Sequence, residues 1–155
     1  NLIPILRASG GKTTADVADW GYLTQKGKWV YNARSETLLE KPLFGKDFVQ
    51  NRCVIPVTGF CEWDGDGTGW DFLPQEEEML YLAGVCRKKT EGWEATVVTE
   101  HAAGCVGEIH HRTPLILSGE NLRQWLYDET QARQFLEEAK ERVLLKRKKM
   151  EGETL

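Results

Sequence analysis

Arg52-Cys53-Val54-Ile55-Pro56-Val57-Thr58-Gly59-Phe60-Cys61-Glu62-Trp63 is the stretch on which the fold turns. Cys53–Val57 is an apolar, β-branched run of strand length. Thr58-Gly59 breaks it and the aromatic run Phe60–Trp63 follows, the pattern of two strands joined by a turn. On an alternating second strand, Phe60 and Glu62 face one side while Cys61 and Trp63 face the other. A carboxylate held out of water among such neighbours favours its neutral form, which raises its pKa toward use as a general acid. The competing reading is a solvent-facing Glu on a half-exposed strand.

The same signals recur on either side. Leu2–Leu6, Trp29–Ala33, Leu80–Cys86, Ala95–Thr99 and Leu115–Leu117 are short β-rich runs bounded by Gly, Pro or Asp. Asp64-Gly65-Asp66-Gly67-Thr68-Gly69 is a turn-forming loop, and it lacks the closing Glu of a calcium-binding loop. The last third turns helical. Asn121–Tyr127 puts Leu122, Trp125 and Leu126 on one face, and Asp128 is an N-cap with Gln131 three residues on. Ala132, Phe135, Leu136, Ala139 and Val143 continue as an amphipathic stripe. The expected fold class is α+β, a curved, mostly antiparallel sheet followed by C-terminal helices.

With 155 residues the chain fits one domain, residues 1–155, large enough for its own core. No apolar run approaches a membrane span, and Asn1-Leu2-Ile3-Pro4 has no signal-peptide pattern. The cytoplasm is the expected location and a monomer the expected state. The net charge of −4 argues weakly against a nucleic-acid partner, although total charge says little about a local patch. Lys146-Arg147-Lys148-Lys149 is such a patch, expected as a solvated helix end. Cys53, Cys61, Cys86 and Cys105 form no zinc framework, and no metal or other cofactor is expected. Reduced thiols, mostly in the core, are the expectation.

Three segments could carry chemistry. Asn32-Ala33-Arg34-Ser35-Glu36-Thr37 ends a strand in an amide, which both donates and accepts, and then a guanidinium, whose planar fork suits a phosphate. Glu62 is the second. Ile109-His110-His111-Arg112-Thr113-Pro114-Leu115-Ile116-Leu117 is the third, with a proton shuttle in His110 and a second anion ligand in Arg112. Adjacent histidines on extended chain point to opposite sides, so only one of the two enters a given site. Each segment alone also reads as a strand end or a polar loop. Together they suggest an acid–base site with anion clamps, suited to a phosphodiester-linked substrate.

In this order the three segments resemble the SOS response-associated peptidase (SRAP) family, through its N-A-R-x-E-T, R-C-x-x-P-x-x-G-F-Y-E-W and I-H-x-R-M-P-x-x-L motifs. Trp20-Gly21-Tyr22 and Ala83-Gly84-Val85 match two shorter elements, and the match runs from about residue 1 to about Leu126. The resemblance implies a β-barrel-like core and a sensor of abasic sites in single-stranded DNA. In that family a cysteine exposed as residue one condenses, through its amine and thiol, with the open-chain aldehyde of an abasic site to give a thiazolidine link. Autopeptidase activity accompanies this crosslinking. By position, Asn32 is implied to orient the terminus and the linked sugar, Glu62 to transfer protons, and His110 to handle the sugar hydroxyl and crosslink reversal. Arg34 and Arg112 are implied to grip flanking phosphates, and Trp29 to lie near the DNA groove.

Cys61 stands where the family has Tyr, and Thr113 where it has Met or Arg. The N-terminal Met-Cys-Gly-Arg segment is not in this sequence, so the chain is expected to begin inside the natural protein. The C-terminus is expected to lack the family's closing strand. Two alternatives stand beside the crosslinking reading. One is a noncovalent single-stranded DNA-binding module. The other is a cysteine hydrolase using Cys61 or Cys105 with His110.

Overall fold

The computed structural model describes residues 1–151. In chain order it runs β1 (Leu2–Ser9), β2 (Lys12–Trp20), β3 (Tyr22–Leu23), β4 (Trp29–Val30), β5 (Asn32–Arg34), a 3₁₀ turn (Leu38–Glu40) and α1 (Gly45–Gln50). Then come β6 (Arg52–Val57), β7 (Phe60–Trp63), β8 (Gly69–Pro74), β9 (Leu80–Lys88), β10 (Trp93–His101) and α2 (Gly104–Gly107). The chain continues through β11 (Arg112–Pro114), β12 (Ile116–Leu117), α3 (Gly119–Tyr127), α4 (Glu129–Glu137) and β13 (Leu145–Lys149).

Five strands close into a ring. β1 pairs with β2 and with β6, β6 with β9, β9 with β10, and β10 with β2. The pairings are antiparallel except where β10 runs parallel to β2 and to β5. Side-chain alternation splits the core in two. Ile5, Ala18, Cys53, Ile55, Leu82, Ala95 and Val97, drawn from all five ring strands, form one cluster. Leu6, Val54, Ala83, Val85 and Val98, mostly their immediate neighbours in sequence, join Trp125, Leu126, Phe135 and Leu136 of the helices in the other. The helices therefore cover the outer wall. The Trp125 Nε1–H, fully buried there, donates to the carbonyls of Cys53 and Gly84. The curved sheet, the barrel-like core and the C-terminal helices are as the sequence led us to expect.

The C-terminal segment departs from expectation. Asp128 caps α4 by accepting from the Gln131 N–H, but the helix stops at Glu137, and Glu138 is extended. Arg142 turns back, and its guanidinium binds the Phe135 and Glu138 carbonyls that a longer helix would have bonded. Its other nitrogen clasps Glu100 of β10 at 3.0 and 3.2 Å, with both side chains buried. Chain reversal then lets Leu145 enter the core and Lys146–Lys149 pair with β8. The basic run is a strand, not a helix end, and the chain does carry a C-terminal strand. No helix among the described residues is long and apolar enough to cross a membrane.

Candidate functional site

β5, β7 and the start of β11 bring the three segments together. β5 lies parallel to β10 in the register Val97–Asn32 and Thr99–Arg34, and β11 pairs with the same strand through His101–Arg112. β7 belongs to a separate three-stranded sheet, β7–β8–β13, and its edge closes a cleft. Asn32 and Glu62 line that cleft with Phe60, Trp63, Trp20 and Pro114. Gly59 also lines it and lets the β6–β7 turn pack directly on β8, because a side-chain carbon there would meet the Phe72 carbonyl oxygen at 2.6 Å.

His110 Nδ1 lies 3.4 Å from Glu62 Oε2. The same nitrogen is 3.1 Å from the Arg112 amide N–H and 3.1 Å from the Arg112 carbonyl. Nδ1 thus faces one donor, the Arg112 N–H, and two acceptors, the Arg112 carbonyl and the Glu62 carboxylate, and the ring's tautomer sets which it engages. With the ring protonated, His110 and Glu62 form an ion pair. Both are half-buried, at 30% and 28% exposure, so Glu62 is not taken fully out of water as the sequence pattern had suggested. Alternation on β7 is as expected: Phe60 and Glu62 are the more buried pair, Cys61 and Trp63 the exposed one.

His110 and His111 do not point apart. Their rings stack, with centroids 4.5 Å apart. The N–H groups of Ile109 and His110 both bond the Val106 carbonyl, so the chain is turning where extended backbone was assumed.

The two arginines differ. Arg34 is exposed at the end of β5, and its guanidinium has no ion pair among the described residues. Arg112 is buried and committed internally. Its Nη1 and Nη2 donate to Glu36 Oε1 and Oε2 at 2.8 and 3.0 Å, and Nη2 also reaches Thr99 O and Oγ1. Its Nε is buried without a partner. The fork assigned from sequence to a phosphate is occupied by Glu36. That Glu lies within the first motif, where its complementarity to a later arginine was the signal overlooked. Trp29 is exposed beside Trp20 and Tyr31, away from Glu62 but continuous with the cleft through Trp20. Gly21, at φ +105°, lets the Trp29 and Tyr31 rings lie against the backbone.

All four thiols are free. Cys53 and Cys86 are core residues, and burial pushes the Cys53 thiol up. Cys61 is exposed, yet its thiol donates to Asp71 Oδ1 at 2.9 Å, and the hydrogen bond to that carboxylate pushes it up to about 11. Burial also raises Cys105. Cys61 and Cys105, the thiols of the cysteine-hydrolase alternative, are thus shifted away from the depressed value that a thiolate nucleophile needs, which counts against it.

A closed β-ring carrying an Asn–Glu–His cleft at the edge of a second small sheet is the class of domain defined here. The chain belongs to the SOS response associated peptidase (SRAP) family, whose model matches residues 1–151. It is 32% identical over 119 residues to the abasic site processing protein YoqW of Bacillus subtilis, covering 71% of this chain and 53% of that protein. It is 33% identical over 124 residues to the abasic site processing protein HMCES of Gallus gallus, covering 61% of this chain and 37% of that one. The chain thus spans about half the length, or less, of these curated relatives. A crystal structure of a protein from Bordetella bronchiseptica shares the fold with a TM-score of 0.79 at 22% identity, over 97% of this chain and 84% of that one.

Proposed function

We propose that this domain is the body of an abasic-site sensor that binds single-stranded DNA and captures the open-chain sugar through a terminal cysteine of the natural protein. The observation that carries the reading is that Glu62, which lines one cleft with Asn32, stands 3.4 Å from His110. The names of the relatives point the same way.

The α-amine adds to the aldehyde carbon, and the carbinolamine loses water to give an imine. The thiol then adds to the imine carbon, its proton passing to nitrogen, and a five-membered thiazolidine closes. One water leaves and nothing is oxidised. Loss of water requires a proton donor, the role of Glu62, with His110 resupplying the proton and serving the sugar hydroxyl and the reverse reaction. The Asn32 amide orients the terminus and the sugar. The same proton-transfer pair would serve cleavage of the initiating residue, the autopeptidase step. Covalent capture guards a strand prone to β-elimination. Arg34 grips a flanking phosphate without reading bases, as a lesion lacking a base requires, while Arg112 holds the loop that bears His110. Trp29 borders the entering strand. We propose the cytoplasm as its location and a monomer as its working state.

The test uses the full-length protein and single-stranded DNA with one abasic site on a denaturing gel. The expected result is a slow band that disappears when the terminal cysteine is replaced by serine. Salt-sensitive binding without any such band would overturn covalent capture in favour of a noncovalent module.

A further inference from the structure

The basic run on β13 has no part in the chemistry above, yet it lies in the sheet that carries Glu62. The register gives two faces. Phe60, Phe72 and Arg147 align on one, with Phe72 fully buried. On the other, Cys61, Asp71 and Lys148 form one row, Leu73 and Lys146 belong to a second, and Trp63 stands opposite Gly69. This second face is open: Cys61, Trp63, Lys146 and Lys148 are all exposed. Arg147, on the inner face, is paired with Glu108, whereas Lys146 and Lys148 have no ion pair among the described residues. Asp71 is the carboxylate in these rows, and it accepts from Cys61. In a chain of net charge −4, this is a local excess of cation.

The face is continuous with the cleft. Trp63 and Cys61 line the cleft and stand on the open face. From β7 to β13 is two interstrand steps of about 4.8 Å each. Lys148 lies in the Cys61 row and Lys146 in the next row of the same face, so a phosphodiester chain leaving the cleft past Cys61 meets Lys148 about 10 Å on and Lys146 after it.

We propose that the outer face of the β7–β8–β13 sheet is the exit track for single-stranded DNA, with Lys146 and Lys148 as its phosphate contacts. This rests on the single-stranded DNA reading above and adds the direction in which the strand leaves. Counterions released at each neutralised phosphate make affinity fall with salt, with a slope of about 0.7 per contact on single strands.

The test is fluorescence anisotropy with the full chain, titrating salt, on a 15-nucleotide single strand. The Lys146→Gln/Lys148→Gln variant is expected to lower the salt slope by about 1.4. The Lys12→Gln/Lys46→Gln variant removes the same charge from the β1–β2 turn and α1, and is expected to leave the slope nearly intact. Equal slopes for wild type and the β13 variant, or equal losses in both variants, overturn the track while leaving the DNA reading in place. A wild-type chain that does not bind the strand at low salt overturns both.

Discussion

Both carboxylate oxygens of Glu36 meet the Arg112 guanidinium, at 2.8 and 3.0 Å, and so tie the first motif to the third across 76 residues. Since the Arg112 backbone brackets His110 Nδ1, this pair also sets where His110 stands. The hydrogen bond from Arg112 holds the Glu36 carboxyl below its ordinary 4.5. A carboxyl depressed in the folded state stabilises the fold above its unfolded pKa, and that contribution is lost as pH falls through the folded value. Glu36 is 36% exposed, so solvent screens the pair. Glu36→Gln is expected to cost on the order of 1 kcal/mol at pH 7. Its melting curve is expected to converge with that of wild type in acid, below the depressed value. A difference that persists unchanged at low pH would refute the assignment.

Arg142 and Glu100 behave in the opposite sense. Burial pushes the Glu100 carboxyl up to about 7, although Arg142 pulls it down. A carboxyl raised in the folded state stabilises the fold below its unfolded pKa, and that contribution is lost as pH rises through about 7. Thermal stability is therefore expected to decline from pH 5 to pH 8, and Glu100→Gln to flatten that decline. Arg142→Ala leaves a buried carboxylate without its cation and frees the segment between α4 and β13. The expected cost is about 3–5 kcal/mol, read by urea unfolding at pH 8.

Exposure alone does not make Cys61 reactive. With its thiol pushed up to about 11 by Asp71, iodoacetamide at pH 7.5 is expected to label it slowly, as followed by mass spectrometry. Asp71→Asn is expected to speed labelling several-fold. Cys61→Ser, which removes the thiol without adding bulk, is expected to leave capture of abasic DNA intact. Loss of capture in Cys61→Ser would restore the cysteine-hydrolase reading.

The sequence carried four of the five ring strands and the motif order well, because β6, β9 and β10 are largely apolar runs buried on both faces. It did not carry β2, whose polar Lys12, Thr13, Thr14 and Asp16 give a weak strand signal, and which is held by its hairpin register with β1. It misread the C-terminus because helical periodicity continues through Ala139 and Val143 in the letters. Arg142 ends the helix through tertiary bonds to Glu100 that no local pattern records. The same limit applies at the site. The residue types of Asn32, Glu62 and His110 were legible. That Arg112 spends its fork on Glu36 depends on a contact distant in sequence and visible only in three dimensions.

The proposed acid–base role of the Glu62–His110 pair is tested most directly by one measurement. The rate of crosslinking to abasic single-stranded DNA is compared for the full-length protein, Glu62→Gln and His110→Ala, alongside affinity for undamaged strands. The account predicts that each variant slows capture by about 10²-fold or more, with affinity for undamaged DNA nearly unchanged. Capture at the wild-type rate in both variants would contradict it, and would place the acid–base chemistry outside the Glu62–His110 cleft.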